Sequence, residues 1–177
     1  MRNKKKIALL SICIIIAVLF ARWLFIWPNA TIISDLEIRN GDRFFISKVE
    51  PKDETEELVL DYFKVFISDD YDKLNKITNF AGGQYVSTYK SDYREGNYIV
   101  ETTVNSINKV TEEEYIDESN SKYYGYKHNL DAYNPTETQV VEVDYDKKLT
   151  KDYARIAQFG DGRYILYYVI AKNEDNP

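Results

Sequence analysis

His128 is the single histidine of this 177-residue chain, and Cys13 is its single cysteine. Serine–histidine–carboxylate catalysis and zinc sites built on paired histidines therefore have one residue to draw on. That residue sits in Tyr124-Gly125-Tyr126-Lys127-His128-Asn129, a loop-like context in which an ordinary surface histidine is the expectation. Glu142, Asp144 and Asp146 share one face of an alternating stretch, a geometry able to hold a hard cation. Strand periodicity alone makes such rows, so a solvated face is the simpler reading. Asp69, Asp70 and Asp72 lack the D-x-D-x-D-G spacing and the distal glutamate of a calcium loop, and helix capping explains them. Gly160-Asp161-Gly162 lies between two apolar runs read as strands, whereas a phosphate cradle needs a helix N-terminus. No carboxylate is embedded in an apolar run where burial would raise its pKa, so the sequence nominates no catalytic residue, no metal site and no cofactor. What remains is tyrosine. Of 16, Tyr62, Tyr71, Tyr145, Tyr164 and Tyr168 are the candidates to line a pocket and donate hydroxyl hydrogen bonds, with core packing as the competing use.

The elements that must position these tyrosines are legible in outline. Asp53 followed by Glu56 makes a capping-box pattern, and Leu58, Val59, Tyr62, Phe63, Val65 and Phe66 recur at helical spacing, which predicts a first helix. A second, short helix follows the Ser68-Asp69-Asp70 stop, with Tyr71, Leu74 and Ile77 on one side. Tyr85, Tyr89 and Tyr93 at four-residue spacing permit a third, and a helical turn from Glu112 fits the acidic run there. Strands are expected at Tyr98 to Val110 with a bulge near Asn105, at Thr136 to Asp146, at Tyr153 to Phe159 and at Tyr164 to Lys172. The last two are joined by Gly160-Asp161-Gly162-Arg163, a hairpin signal. Both sides of the final strand are apolar, which predicts a central place in its sheet. Residues 28–50 read as a juxtamembrane stalk with an entry strand over Phe44 to Val49, and residues 51–177 as one α+β domain.

Ile7 to Trp27 is apolar apart from Ser11, Cys13 and Arg22, and follows the basic run Arg2, Lys4, Lys5 and Lys6. As a helix it would measure about 31 Å, the thickness of a bilayer's hydrocarbon. Its large apolar residues favour insertion by about 0.3 to 0.6 kcal/mol each, against about 2.5 to 3.5 for Arg22, so insertion wins. Arg22, Trp23 and Trp27 mark a membrane interface at its outer end, and the cationic residues 1–6 set a cytoplasmic tail. A cleaved signal would need small residues at the cleavage site, and a lipoprotein a cysteine at the end of the run; neither is present. The expectation is a transmembrane signal anchor over 7–27, with membrane lipid as its partner, the N-terminus inside and the domain outside. Setting aside the five cations at positions 2, 4, 5, 6 and 22 leaves 18 Lys+Arg against 29 Asp+Glu, a net charge of −11. That excess argues against nucleic acid as a partner. With no cysteine after position 13, no internal disulfide can form, and the domain must hold by packing.

The helix ELVLDYFKVFIS, the DDYDKLNKI segment after it and the terminal stretches TQVVEVDY and GRYILYYVIAKNEDNP resemble, over Val49 to Pro177, small extracytoplasmic proteins of Gram-positive bacteria with a nuclear transport factor 2-like cone fold. The resemblance implies two or three helices packed on a curved antiparallel sheet of about four strands, enclosing a cavity. It also implies two functional classes. The favoured one is a membrane-anchored, non-catalytic interaction or ligand-binding module, such as a scaffold subunit with a protein partner in an envelope assembly. The alternative is a small-molecule enzyme or binder using the cone interior, as in the similar ketosteroid isomerases.

Overall fold

The computed structural model describes residues 31–78, 84–116 and 135–172. Among them are six strands in one sheet, in the order β1-β2-β3-β4-β5-β6, and five helices. The strands are β1 (Thr31–Ser34), β2 (Glu37–Asn40), β3 (Arg43–Ser47), β4 (Ile99–Lys109), β5 (Glu137–Leu149) and β6 (Gly162–Lys172). The helices are α1 (Glu54–Ser68), α2 (Tyr71–Ile77), α3 (Gln84–Arg94), α4 (Glu112–Ile116) and α5 (Lys151–Ile156).

The expected antiparallel sheet of about four strands is overturned in three ways. First, Thr31 to Ser47, read as a stalk with an entry strand over Phe44 to Val49, supplies three short strands. They form a meander closed between β2 and β3 by Gly41, whose φ of 63° suits the first central position of a two-residue hairpin turn. Second, β3 runs parallel to β4, pairing Phe45 with Thr102, so the sheet is mixed. The crossover between them carries α1, α2 and α3, as a parallel connection requires. Third, no strand forms over Tyr153 to Phe159, where one is expected, because a helix over Lys151–Ile156 takes the first part of that stretch. Its apolar residues are too few to hold a strand at the sheet edge, and a helical turn after Leu149 is closed by bonds from Ala154 N–H to Thr150 and Ala157 N–H to Tyr153. β6 is consequently an edge strand and not central, despite its apolar faces.

Other elements follow the pattern. Asp53 caps α1 by accepting from the N–H groups of Thr55 and Glu56 at 3.1 and 3.2 Å, and the buried Glu56 carboxylate reaches back to the Lys52 N–H at 3.0 Å. The β4–β5 register slips between Val104 and Ser106, a bulge at Asn105. The main core joins Val59, Leu60, Phe63 and Ile67 of α1 to Ile38, Phe45, Val104, Val141, Val143 and Tyr145 of the sheet. Val110 and Val140 start a smaller cluster with Tyr115, Tyr167 and Val169. The anchor expected over Ile7–Trp27, with Arg22, Trp23 and Trp27, lies outside the described residues, as does His128. Among the described residues no helix is long and apolar enough to cross a membrane.

Candidate functional site

A cavity of about 200 Å³ opens at the end of the main core, between the C-terminal half of α1, α3, α5 and the strands β3 to β6. Eight tyrosines and three phenylalanines line it, together with Arg43, Asp69 and Lys147. Tyr62, Tyr71, Tyr145 and Tyr168 are among those tyrosines. Tyr164 is not. It stacks behind Tyr145, with ring centroids 5.8 Å apart, and donates its hydroxyl to the Gly160 carbonyl at 2.6 Å.

The walls are built by helical spacing on one side and strand alternation on the other. Tyr62, Phe63 and Phe66 occupy neighbouring positions on α1. Tyr62 meets Phe66 edge-on at 5.1 Å, and Phe66 meets Tyr89 of α3 at 4.8 Å. From the sheet, Tyr145 and Tyr168 approach Phe63 at 4.8 and 5.6 Å. These are the offset and edge geometries that aromatic quadrupoles favour.

The floor at one end is a buried ion pair. Arg43 begins β3 at an inward position and is 2% exposed. Its Nη1 donates to Asp69 Oδ1 at 2.9 Å and its Nη2 to the other carboxylate oxygen, a two-pronged contact. Asp69 is the C-cap of α1 in the left-handed conformation, φ 58° and ψ 27°. The last carbonyls of a helix have no partner within it. Here Arg43 Nη1 donates to Phe66 O at 3.1 Å and Asn40 Nδ2 to Ile67 O at 2.9 Å, so the β2–β3 hairpin finishes the helix end. The guanidinium lies 4.7 Å from the Tyr93 ring centroid and 5.5 Å from that of Tyr98.

Burial governs the protonation of the cavity. It pushes up the hydroxyl pKa values of Tyr145 and Tyr168, and that of Tyr71 to about 12, with the Asp69 charge adding to the last. The same cause lowers the ammonium of Lys147. Burial also works against the Arg43 cation, but the bonds and charge of Asp69 outweigh it, and its pKa is raised. Tyr71, Tyr145 and Tyr168 thus keep their protons at neutral pH, and the one lining carboxylate is spent on Arg43.

The carboxylate row on β5 is occupied by protein partners. Asp144 takes Arg163 Nε at 2.8 Å, Asp146 accepts from Asn105 Nδ2 at 2.8 Å, and Glu142 accepts from the Tyr167 hydroxyl. Asp70 caps α2 through the Lys73 N–H at 3.0 Å. Among the described residues no group of three or more metal-ligating side chains assembles. Comparison with protein-family models, curated proteins and solved structures finds no match.

Sequence reasoning missed Arg43 and Lys147. Arg43 directly follows the turn at Gly41-Asp42, in a stretch whose strands are too short to show alternation. Lys147 had a signal: the inward positions Val143 and Tyr145 continue through 147 to Leu149, which places a lysine in an apolar row.

Proposed function

We propose that this chain is a non-catalytic ligand-binding module, tethered to the outer face of a cell membrane by the apolar stretch 7–27, and that its ligand is a single-ring compound held in the tyrosine-lined cavity. The observation that carries this reading is the cavity itself. About 200 Å³, open on one side and walled largely by aromatic rings, exceeds the ~150 Å³ that suffices for benzene, and falls short of the ~300 Å³ where drug-sized sites begin. Tyrosine hydroxyls held neutral by burial give the lining polar groups that carry no charge. Binding without turnover is favoured because Asp69, the one carboxylate in the lining, is committed to Arg43. The basic run before residue 7 supports the orientation.

The test is a titration of the full-length chain, carrying ring-labelled tyrosine, with single-ring compounds. Resonances of Tyr62, Tyr71, Tyr145 and Tyr168 shift together while Tyr115, on the other face, stays put. A panel that moves none of the four sinks the reading. For the tether, the protein should stay with the membrane fraction after a high-salt wash; recovery as a soluble product overturns it.

A further inference from the structure

The cavity's charge is opposite to that of the chain. The whole sequence carries a formal −6, yet the cavity lining holds two cations, Arg43 and Lys147, against the single carboxylate of Asp69. Arg43 and Asp69 neutralise each other. Lys147 is left over.

Its neighbours on β5 show that this is not the habit of the strand. Lys148, one residue on and facing outward, pairs with Glu101 of β4 at 2.7 Å. Asp146, one residue back, lies opposite Arg163 of β6 and accepts from Asn105. Lys147 itself stands opposite Thr102 on β4 and Gly162 on β6, so neither cross-strand position offers a carboxylate. Asp161 is the acidic group nearest in influence; it acts on Lys147 through space without forming an ion pair with it, and its Oδ1 accepts the Leu149 N–H at 2.8 Å. The ammonium rests 4.9 Å from the Tyr164 ring centroid, a contact that steadies a cation without neutralising it. A partly buried lysine in an apolar row, with no ion-pair partner among the described residues, breaks a local rule at a cavity wall. Such breaks concentrate where ligands bind.

Resting on the binding role proposed above, we propose that Lys147 anchors an anionic group, and that the ligand is a monocyclic aromatic carboxylate. The ring takes the place framed by Phe63, Phe66, Tyr145 and Tyr168, and the carboxylate meets the Lys147 ammonium. One uncompensated positive charge matches a mono-anion. A dianion would keep an unpaired negative charge in desolvated space, and a cation would meet the like charge of Lys147. The tyrosine-rich wall would otherwise suit a cationic ligand, and Lys147 is what reverses that preference.

The experiment uses the full-length chain in detergent micelles, with micelle-only blanks, and three probes of nearly equal shape: benzoate, benzyl alcohol and benzylamine. Calorimetric titration should rank benzoate about tenfold or more tighter than benzyl alcohol, with benzylamine weakest. Lys147→Met keeps the alkyl stem and should bring benzoate to the level of benzyl alcohol while leaving benzyl alcohol within about twofold; Lys147→Arg should retain the preference. Benzoate no tighter than benzyl alcohol in the native protein overturns the proposal, as does a preference that survives in Lys147→Met. Binding by all three without regard to charge overturns the anchor and leaves the binding role standing. Binding by none removes both. Should Lys147→Met fail to fold, the native ranking alone decides.

Discussion

Asp69 carries more of the fold than one side chain usually does. It is the only non-glycine described residue with positive φ, it ends α1, and it is the counter-ion of a guanidinium 2% exposed. A carboxylate at a helix C-terminus opposes the macrodipole, and Arg43 reverses that penalty by bonding both the carboxylate and the Phe66 carbonyl. Removing one partner of a buried pair leaves the other charge uncompensated. Asp69→Asn, which keeps the shape and the tolerance for left-handed backbone, should therefore cost about 3 kcal/mol in denaturant unfolding. Arg43→Met with Asp69→Asn should cost less than the sum of the single changes, because no charge is stranded; strict additivity would show that the pair is not coupled. Asn40 lies in the same knot, its amide nitrogen donating to Ile67 O and Asp69, and its buried Oδ1 is left without a partner. Tyr71 gives the knot a pH signature. Its folded pKa of about 12 lies above the ordinary value of 10, raised first by burial and then by Asp69. The unfolded chain ionises first, so this stabilisation is complete below pH 10 and is lost as pH rises through about 12. The melting temperature should fall across that window, and Tyr71→Phe should flatten the fall. An unchanged slope in the variant would assign the alkaline loss to the other buried tyrosines.

At the scale of elements, the strand with the strongest apolar signal stands at the edge. β6 runs from Gly162 to Lys172, pairs with β5 alone, and exposes Ile165 by 56% and Leu166 by 38%. Unpaired, apolar edges invite pairing with another chain, and a charge is the usual protection. Ile165→Lys should reduce concentration-dependent self-association in sedimentation while leaving the melting temperature nearly unchanged; a large loss of stability would mean that Ile165 is packed in the native protein. The same strand shows where sequence patterns stop. Two apolar faces predict a central strand because they report burial on both sides, but burial can come from Tyr164 and Tyr168 packing on the core and Tyr167 and Val169 packing on Tyr115 and Val140, with no strand beyond. Local chemistry was legible where it is self-contained, as in the Asp53 cap of α1 or the Asn105 bulge. β3 was legible in part, as the entry strand over Phe44 to Val49, but β1 and β2 were not, since strands of four residues hold too few alternations to show a period. The parallel β3–β4 pairing depends on contacts more than fifty residues apart in the chain, which no local window contains.

For the molecule as a whole, the site was legible in kind but not in composition. Tyr62, Tyr145 and Tyr168 reach one cavity because helical spacing on α1 and two-residue alternation on β5 and β6 aim them inward, and Tyr71 joins them from the start of α2. The ionic residues that give the cavity its character come from distant parts of the chain, Arg43 from the first hairpin and Lys147 from β5, and β4, paired with both β3 and β5, brings them together. The N-terminal meander is therefore part of the site as well as part of the sheet. β3 supplies Phe45 to the core and Arg43 to the cavity, and its Ser47 and Lys48 N–H groups bond Leu36 O and Val104 O at 2.8 and 2.9 Å. A chain started at residue 31 retains all of this, and should unfold in one cooperative transition. A chain started at Glu50 loses three strands, strands the Asp69 carboxylate and bares the edge of β4. It should show no cooperative thermal transition and should lose dispersion in its amide spectrum. If the shorter chain melts as sharply as the longer one, the meander is an appendage, and Arg43 is not the keystone that its burial and bonding imply.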